Sequence, residues 1–267
     1  MTERSGPPGL LGDVRGFVFD LDGCVWTGHV LSPGAGDCLA ALRRAGRRLG
    51  FITNNSRETG LGIAARLAAL GVTGADAVLT PLEIIGETIR ERYGVARVLV
   101  IGADVLAEMV RRAGHEVLAV EDYARATVVA LGNDFDLTYE RLTAAARAAA
   151  AGAPLVVPNV DPRLPLEGGD FMPGCGALVA AVAAAAGVEP VVVGKPESPL
   201  FDIALARMGL RAGAAAMVGD SVPSDIEGAR RVGMRTVLYA PDGAQPGAHR
   251  ADVVVRSFRE LTALAGV

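Results

Sequence analysis

The stretch Phe17-Val18-Phe19-Asp20-Leu21-Asp22-Gly23 constrains the fold more than any other. A short, unbroken apolar run bounded by an acidic pair and a glycine reads as a buried strand whose end delivers two carboxylates into a loop. Crowded, desolvated carboxylates are costly unless a cation or a chemical task compensates them. The device recurs along the chain. Arg48-Leu49-Gly50-Phe51-Ile52 ends in Thr53-Asn54-Asn55-Ser56, and Val191-Val192-Val193-Gly194 ends in Lys195-Pro196. Ala214-Ala215-Ala216-Met217-Val218-Gly219 ends in Asp220, with Asp225 five residues further on.

Helix-length stretches separate these runs. Ser32-Pro33 opens a helix with Leu39, Leu42 and Ala45 on one face, closed by Gly46, and a second helix is expected around Ile63 to Leu70. The cluster from Thr53 to Ser56 would stand at the start of that second helix, where free N–H groups and a hydroxyl suit an anion. Strand and helix alternate again from Ala77-Val78-Leu79-Thr80 onward. Strands are expected at Val98 to Ile101, Glu116 to Val120, Ala126 to Leu131 and Pro154 to Pro158, with helices at Val105 to Ala113 and Thr138 to Ala151. The middle segment, residues 81–189, is long enough for a core of its own and reads as an inserted α/β domain between core segments 1–80 and 190–267. Within it, Asn159 to Gly174 reads as a loop stiffened by prolines and glycines, and Asp134 and Asp136 as solvated loop residues. Cys24 to Leu31 suggests a small hairpin flap with Trp26 as its apolar anchor, His29 facing solvent and Cys24 as a small buried hydrophobe. His115 and His249 fall in polar turns without metal-ligand spacing.

Composition narrows the class further. Of 267 residues 51% are hydrophobic but only 4% aromatic, so the core must come from Ala, Val, Leu and Ile, as in helices packed on buried parallel strands. With a net charge of −4 and scattered cations there is no basic stripe for nucleic acid. Three cysteines without CxxC spacing argue for a reducing compartment. The first twelve residues lack the apolar core of a signal peptide, and the apolar run Ala177 to Val188 is too short to span a bilayer. A soluble, cytoplasmic protein without a membrane partner is expected.

In a doubly wound parallel sheet the strand ends meet on one edge, so Asp20, Asp22, Thr53 and Asp220 are expected to converge there. Carboxylate oxygens drawn from different strands suit a hard octahedral ion, hence Mg2+. Adding an anion-binding Thr53-Asn54 and a cationic Lys195 gives a site matched to a phosphoryl group.

Four ordered motifs carry a family resemblance: Asp20-Leu21-Asp22-Gly23, Thr53-Asn54, Gly194-Lys195-Pro196, and Gly219-Asp220 with Asp225. Together they resemble the haloacid dehalogenase (HAD) superfamily. The insertion between the second and third motifs, with the run Asn159 to Gly176, is similar to its type IIA branch of NagD-like, 4-nitrophenylphosphatase and phosphoglycolate phosphatase-like enzymes. The resemblance implies a Rossmann-like core with an inserted α/β cap of type C2 that closes over the site. It implies a phosphatase of small phosphate monoesters in which Asp20 attacks phosphorus and Asp22 protonates the leaving oxygen, then deprotonates water. Asp20, the main-chain carbonyl of Asp22, and Asp220 would hold Mg2+, with Asp225 ordering its surroundings. Thr53 and Asn54 would grip phosphoryl oxygens, Lys195 would orient Asp20, and Asn159 and Asp161 would lie in the cap's substrate loop. The resemblance leaves room for a homodimer and for phosphoglycolate, glycerol phosphate, pyridoxal phosphate, sugar phosphates or nucleotides as substrate.

Other classes share parts of this pattern. A signalling receiver accepts phosphate on an aspartate, but it has no use for Asp22 or for a cap-sized insertion. A binding protein on a retired enzyme fold would have lost a catalytic position. A phosphomutase or phosphotransferase would deliver the phosphoryl group to an acceptor other than water, and a dehalogenase needs neither Asp22 nor the metal site.

Overall fold

The computed structural model describes residues 10–165, 170–243 and 245–267. They belong to two compact units, one drawn from Met1–Thr53, Gly60–Leu79 and Lys195–Val267, the other from Asn54–Thr59 and Thr80–Gly194. The chain enters through β1 (Gly16–Phe19), β2 (Trp26–Thr27), β3 (Val30–Leu31), α1 (Ala35–Arg44), β4 (Arg48–Ile52), α2 (Gly60–Ala69) and β5 (Ala77–Leu79). It continues through α3 (Pro81–Tyr93), β6 (Arg97–Ile101), α4 (Asp104–Arg112), β7 (Glu116–Leu118), β8 (Val128–Leu131) and α5 (Tyr139–Ala150). Next come β9 (Leu155–Val157), β10 (Arg163–Pro165), β11 (Phe171–Pro173), α6 (Cys175–Ala186) and β12 (Val191–Val192). It closes with α7 (Ser198–Met208), β13 (Ala215–Gly219), α8 (Glu227–Arg231), β14 (Arg235–Tyr239), β15 (Val253–Val255) and α9 (Phe258–Ala265).

The first unit is built on a six-stranded sheet of order β15-β14-β13-β1-β4-β5, every pair parallel. Because successive strand residues face opposite sides, Phe17 and Phe19 of β1 join Phe51, Val218 and Val237 on the side covered by Leu39 and Leu42 of α1 and Phe258 and Leu261 of α9. Phe19 stacks on Phe51 at 5.9 Å between ring centroids, and Phe258 packs on Tyr239 at 5.0 Å. On the other side α7 lies against β4 and β5. Gly50 makes that approach possible: a Cβ there would stand 2.7 Å from the sulfur of Met208. β1 is central, and the chain moves outward from it in both directions, which is the switch-point arrangement that opens a crevice at the strand ends.

The second unit carries a five-stranded parallel sheet of order β12-β9-β8-β6-β7. Alanines of α5 (Ala144, Ala145, Ala148, Ala149) and valines of α6 (Val179, Val182) bury against Leu99, Ile101, Val129, Leu131, Leu155 and Val157. Thr80 and Glu83 form a capping box at the start of α3, the Thr80 N–H donating to Glu83 Oε2 at 2.9 Å.

Several local expectations differ from the structure. The loop read at Asn159 to Gly174 contains two antiparallel paired strands, β10 and β11. Gly174 and Gly176 allow this pairing, because a Cβ on either would collide with the backbone of residues 160–163. The strand expected to Val120 stops at Leu118, and Val120–Arg125 forms a 3-10 turn with Glu121 and Asp122 in its first turn, where negative charge suits free N–H groups. His115 follows the turn that ends α4, yet its side chain faces the interior. It is buried, its Nδ1 accepting from the Ala96 N–H at 3.1 Å and its Nε2 lying 2.9 Å from the Gly86 carbonyl. Asp134 is not solvated either, since its carboxylate pairs with Arg141 at 2.7 Å. The second unit runs on to Gly194 because β12 pairs with β9 and the Gly194 N–H donates to the Pro158 carbonyl at 2.8 Å.

Candidate active site

Asp20, Asp220 and Thr53 follow β1, β13 and β4, three neighbouring strands whose parallel register aligns Phe19 with both Val218 and Phe51. The sheet therefore places their side chains side by side at one edge. Asp20 is held in line by its N–H, which donates to the Val218 carbonyl at 2.8 Å. Asp225 arrives from the π-helical turn Val222–Ile226 that leads into α8. Among the described residues, one carboxylate oxygen each from Asp20, Asp220 and Asp225 lie within 4.8 Å of one another.

Lys195 answers part of this negative charge. Its Nζ donates to Asp20 Oδ1 at 2.5 Å and to Asp225 Oδ1 at 2.7 Å, all three side chains being almost wholly buried. The second oxygen of Asp225 accepts from the Ser221 N–H at 3.0 Å. Burial pushes the Asp20 carboxyl well above the usual carboxylate range, with Lys195 pulling it down and Asp225 and Asp220 adding to the rise. Asp220 is raised by burial and then by Asp225. Burial would depress the Lys195 ammonium, but the charges of Asp20 and Asp225 outweigh it and hold the group above its ordinary value.

Gly23 sits at φ +90°, and a Cβ there would collide with the Asp220 carboxylate, so the close approach of this loop to Asp220 requires glycine. Gly219 likewise abuts Asp225 so closely that a Cβ would overlap it. Three clustered carboxylates against one ammonium leave uncompensated negative charge, and an all-oxygen donor set of this kind fits a hard divalent cation.

Asp22 stands apart from that cluster. Its side chain is exposed, with Oδ1 accepting from the Trp26 indole N–H at 2.9 Å and Oδ2 from the Thr53 hydroxyl at 3.3 Å. Thr53 itself is buried. It does not stand at a helix N-terminus: α2 opens only at Gly60, so any anion-binding N–H groups after Thr53 belong to the loop 54–59.

Asn54, Asn159 and Asp161 lie in the second unit. Asn159 is buried, and its amide donates to the Asn54 carbonyl at 2.7 Å and to the Ser56 hydroxyl at 3.4 Å. The Asn133 amide also donates to Ser56 Oγ at 3.3 Å. Asp161 is exposed and its N–H donates to Asn159 Oδ1 at 3.2 Å. The pairing of Ser56 with Asn133 and the donor role of the Trp26 indole escape a reading of the sequence. Ser56 and Asn133 are 77 positions apart with no motif between them, and tryptophan in a flap signals apolar area before it signals a donor. Gln245 is a further case, its amide donating to the Asp220 carbonyl at 2.9 Å.

Comparison with known proteins agrees on one family. A profile described as haloacid dehalogenase-like hydrolase matches residues 17–116, and a second, HAD-hydrolase-like, matches residues 192–261. Human glycerol-3-phosphate phosphatase is 36% identical over 257 residues, covering 86% of this chain and 79% of that protein. Among solved structures, a 4-nitrophenylphosphatase from Thermotoga maritima superposes with a TM-score of 0.84 at 28% identity, covering 96% of this chain and 99% of the other. A glycerol phosphate phosphatase from Mycobacterium tuberculosis, solved in complex with magnesium, does so with a TM-score of 0.84 at 32% identity, covering 96% of this chain and 78% of the other.

Proposed function

The chain belongs to the haloacid dehalogenase-like hydrolases and is a phosphatase, and from that premise we propose that it hydrolyses small phosphate monoesters through an aspartyl-phosphate on Asp20. One observation carries the reading. Lys195 bridges Asp20 and Asp225 inside a three-carboxylate cluster while a further acidic side chain, Asp22, two residues from Asp20, lies outside that cluster. Two acids in contrasting surroundings suit a nucleophile and a proton carrier.

Mg2+ is the proposed cofactor, held by Asp20 and Asp220 with the main-chain carbonyl of Asp22, while Asp225 orders the surroundings through Lys195 and Ser221. When bound, it neutralises the crowded carboxylates and the phosphoryl oxygens. In the first half-reaction an Asp20 oxygen attacks phosphorus in line, the ester P–O bond breaks, and the departing oxygen takes a proton from Asp22. In the second, Asp22 takes a proton from water as the water oxygen attacks phosphorus and the bond to Asp20 breaks, releasing inorganic phosphate. Lys195 keeps the Asp20 carboxylate oriented, and the Thr53 hydroxyl and the Asn54 N–H donate to phosphoryl oxygens. The second unit, as the cap, would carry the side chains that choose the ester, with Asp161 and the loop around Asn159 among them.

Single-turnover phosphorylation tests the reading. Wild type incubated with 4-nitrophenyl phosphate and Mg2+ and quenched in acid should yield a phosphoprotein labelled on Asp20. Asp20→Asn should give none and keep under about a hundredth of kcat; a labelled Asp20→Asn protein would sink the assignment.

A further inference from the structure

We infer that Trp26 is a positioning residue for Asp22, its indole N–H fixing which carboxyl oxygen exchanges a proton with the substrate. The inference rests on the reading of Asp22 as acid and base, and it starts from an exposed side chain that is nevertheless held at both ends. Trp26 Nε1 donates to Asp22 Oδ1 at 2.9 Å, the shorter of the two bonds Asp22 receives. The ring is itself immobilised. The Trp26 N–H donates to the Leu21 carbonyl at 3.0 Å, its carbonyl accepts from the Gly23 N–H at 2.9 Å, and β2 pairs it with Leu31. The Arg66 guanidinium lies 4.2 Å from the ring centroid on one face. Tryptophan is thereby buried within the same short loop that displays Asp22, and its one polar atom is spent on the carboxylate.

An indole N–H only donates. Oδ1 is therefore an acceptor whether Asp22 is neutral or charged, and because a carbonyl oxygen accepts better than a carboxyl O–H oxygen, the proton that leaves for the ester oxygen and returns from water is favoured on Oδ2. The group beside Oδ2 is compatible with both states, because the Thr53 hydroxyl at 3.3 Å donates to the carboxylate when no phosphoryl group is bound and, once its proton is given to a phosphoryl oxygen, can still accept from the acid. Trp26 thus removes one of two equivalent oxygens from the proton transfer and fixes the direction of the other.

Trp26→Phe keeps the apolar ring beneath Arg66 and deletes the donor. Its kcat/KM, which reports the phosphorylation step, should fall about tenfold with an alkyl phosphate, whose alkoxide must be protonated to leave, and less than about threefold with 4-nitrophenyl phosphate, whose phenolate leaves without a proton. Equal losses with both esters, or no loss with either, would overturn the inference and return Trp26 to a packing role. Asp22→Asn measured alongside separates the two claims. If it shows no leaving-group dependence, the acid role of Asp22 fails; if it does and Trp26→Phe does not, only the positioning claim fails. Should Trp26→Phe not fold, the native protein still decides. Trp26 is the chain's single tryptophan, so one indole N–H resonance reports the bond, and Asp22→Ala should move it upfield. An unmoved resonance counts against the inference.

Discussion

Lys195 Nζ lies 2.5 Å from Asp20 Oδ1 and only 2.7 Å from Asp225 Oδ1, so a single buried ammonium joins the proposed nucleophile to an aspartate that follows β13. These residues are 175 and 30 positions from Lys195 in sequence. Removing one partner of a buried charge pair costs more than the pair contributes, because the remaining charge has no compensation. Lys195→Met is expected to destabilise the metal-free protein by about 3–5 kcal/mol in urea unfolding, and to lower kcat at least a hundredfold at saturating Mg2+. Lys195→Arg should not restore activity, since the planar guanidinium does not fit a point-charge position. Full activity in either variant would remove Lys195 from the mechanism.

Burial raises both Asp20 and Asp220, and neighbouring carboxylates add to the rise against the pull of Lys195, so a divalent cation should stabilise the fold as well as the chemistry. A ligand that binds only the native state at a hundred times its Kd adds about 2.7 kcal/mol. Thermal unfolding should move up on adding Mg2+, and EDTA should reverse both the shift and the activity. Asp220→Asn should abolish the Mg2+-dependent shift while raising the metal-free melting temperature, because it removes a repelling carboxylate. An unchanged Mg2+ response would exclude Asp220 as a ligand.

Asn159 is spent on Asn54 and Ser56, which gives it a bracing role within the second unit. Asn159→Ala removes one donor from the part-buried Asn54 carbonyl and one of two from the buried Ser56 hydroxyl, at a cost of about 1 kcal/mol. If it acts through Asn54, KM should rise by a similar factor for every phosphate ester, and the inhibition constant of inorganic phosphate should rise with it. Factors that differ widely between esters would instead make Asn159 a direct contact to the leaving group.

All three cysteines are free and buried. Burial pushes the Cys38 thiol up to about 11 and the Cys175 thiol up to about 12, and holds Cys24 well above its ordinary value. A raised thiol pKa disfavours the reactive thiolate, so at pH 8 Cys38 is ionised to only about one part in a thousand. Native protein at that pH should therefore react with no Ellman reagent in the minutes that suffice for three equivalents in guanidinium chloride. Fast release of one equivalent from the native state would place a thiol at the surface.

The parallel α/β character was legible because short apolar runs such as Phe17-Val18-Phe19 and Ala216-Met217-Val218 encode burial on both faces, a local property of the chain. The neighbouring positions of Asp20, Thr53 and Asp220 were legible because each directly follows a run that pairs in parallel within one sheet, whereas Lys195 follows β12 of the other sheet and its place beside Asp20 was not. The burial of His115 and the pairing of Asp134 were not legible, since the partners of His115, Ala96 and Gly86, lie far off in sequence and Arg141 stands seven residues from Asp134.

Sequence alone determined the strand and helix rhythm, the residue types at the strand ends and hence the class of chemistry, all of which depend on neighbours within a few positions. Tertiary structure decided the pairings: Lys195 between two aspartates, Trp26 on Asp22, Asn159 on Asn54 and Asn133 on Ser56. Even the pairing within one loop, Trp26 with Asp22, depends on turn geometry that residue types do not specify. Hydrogen bonds are directional over about 3 Å, whereas the apolar pattern of a sequence constrains only which face a residue presents.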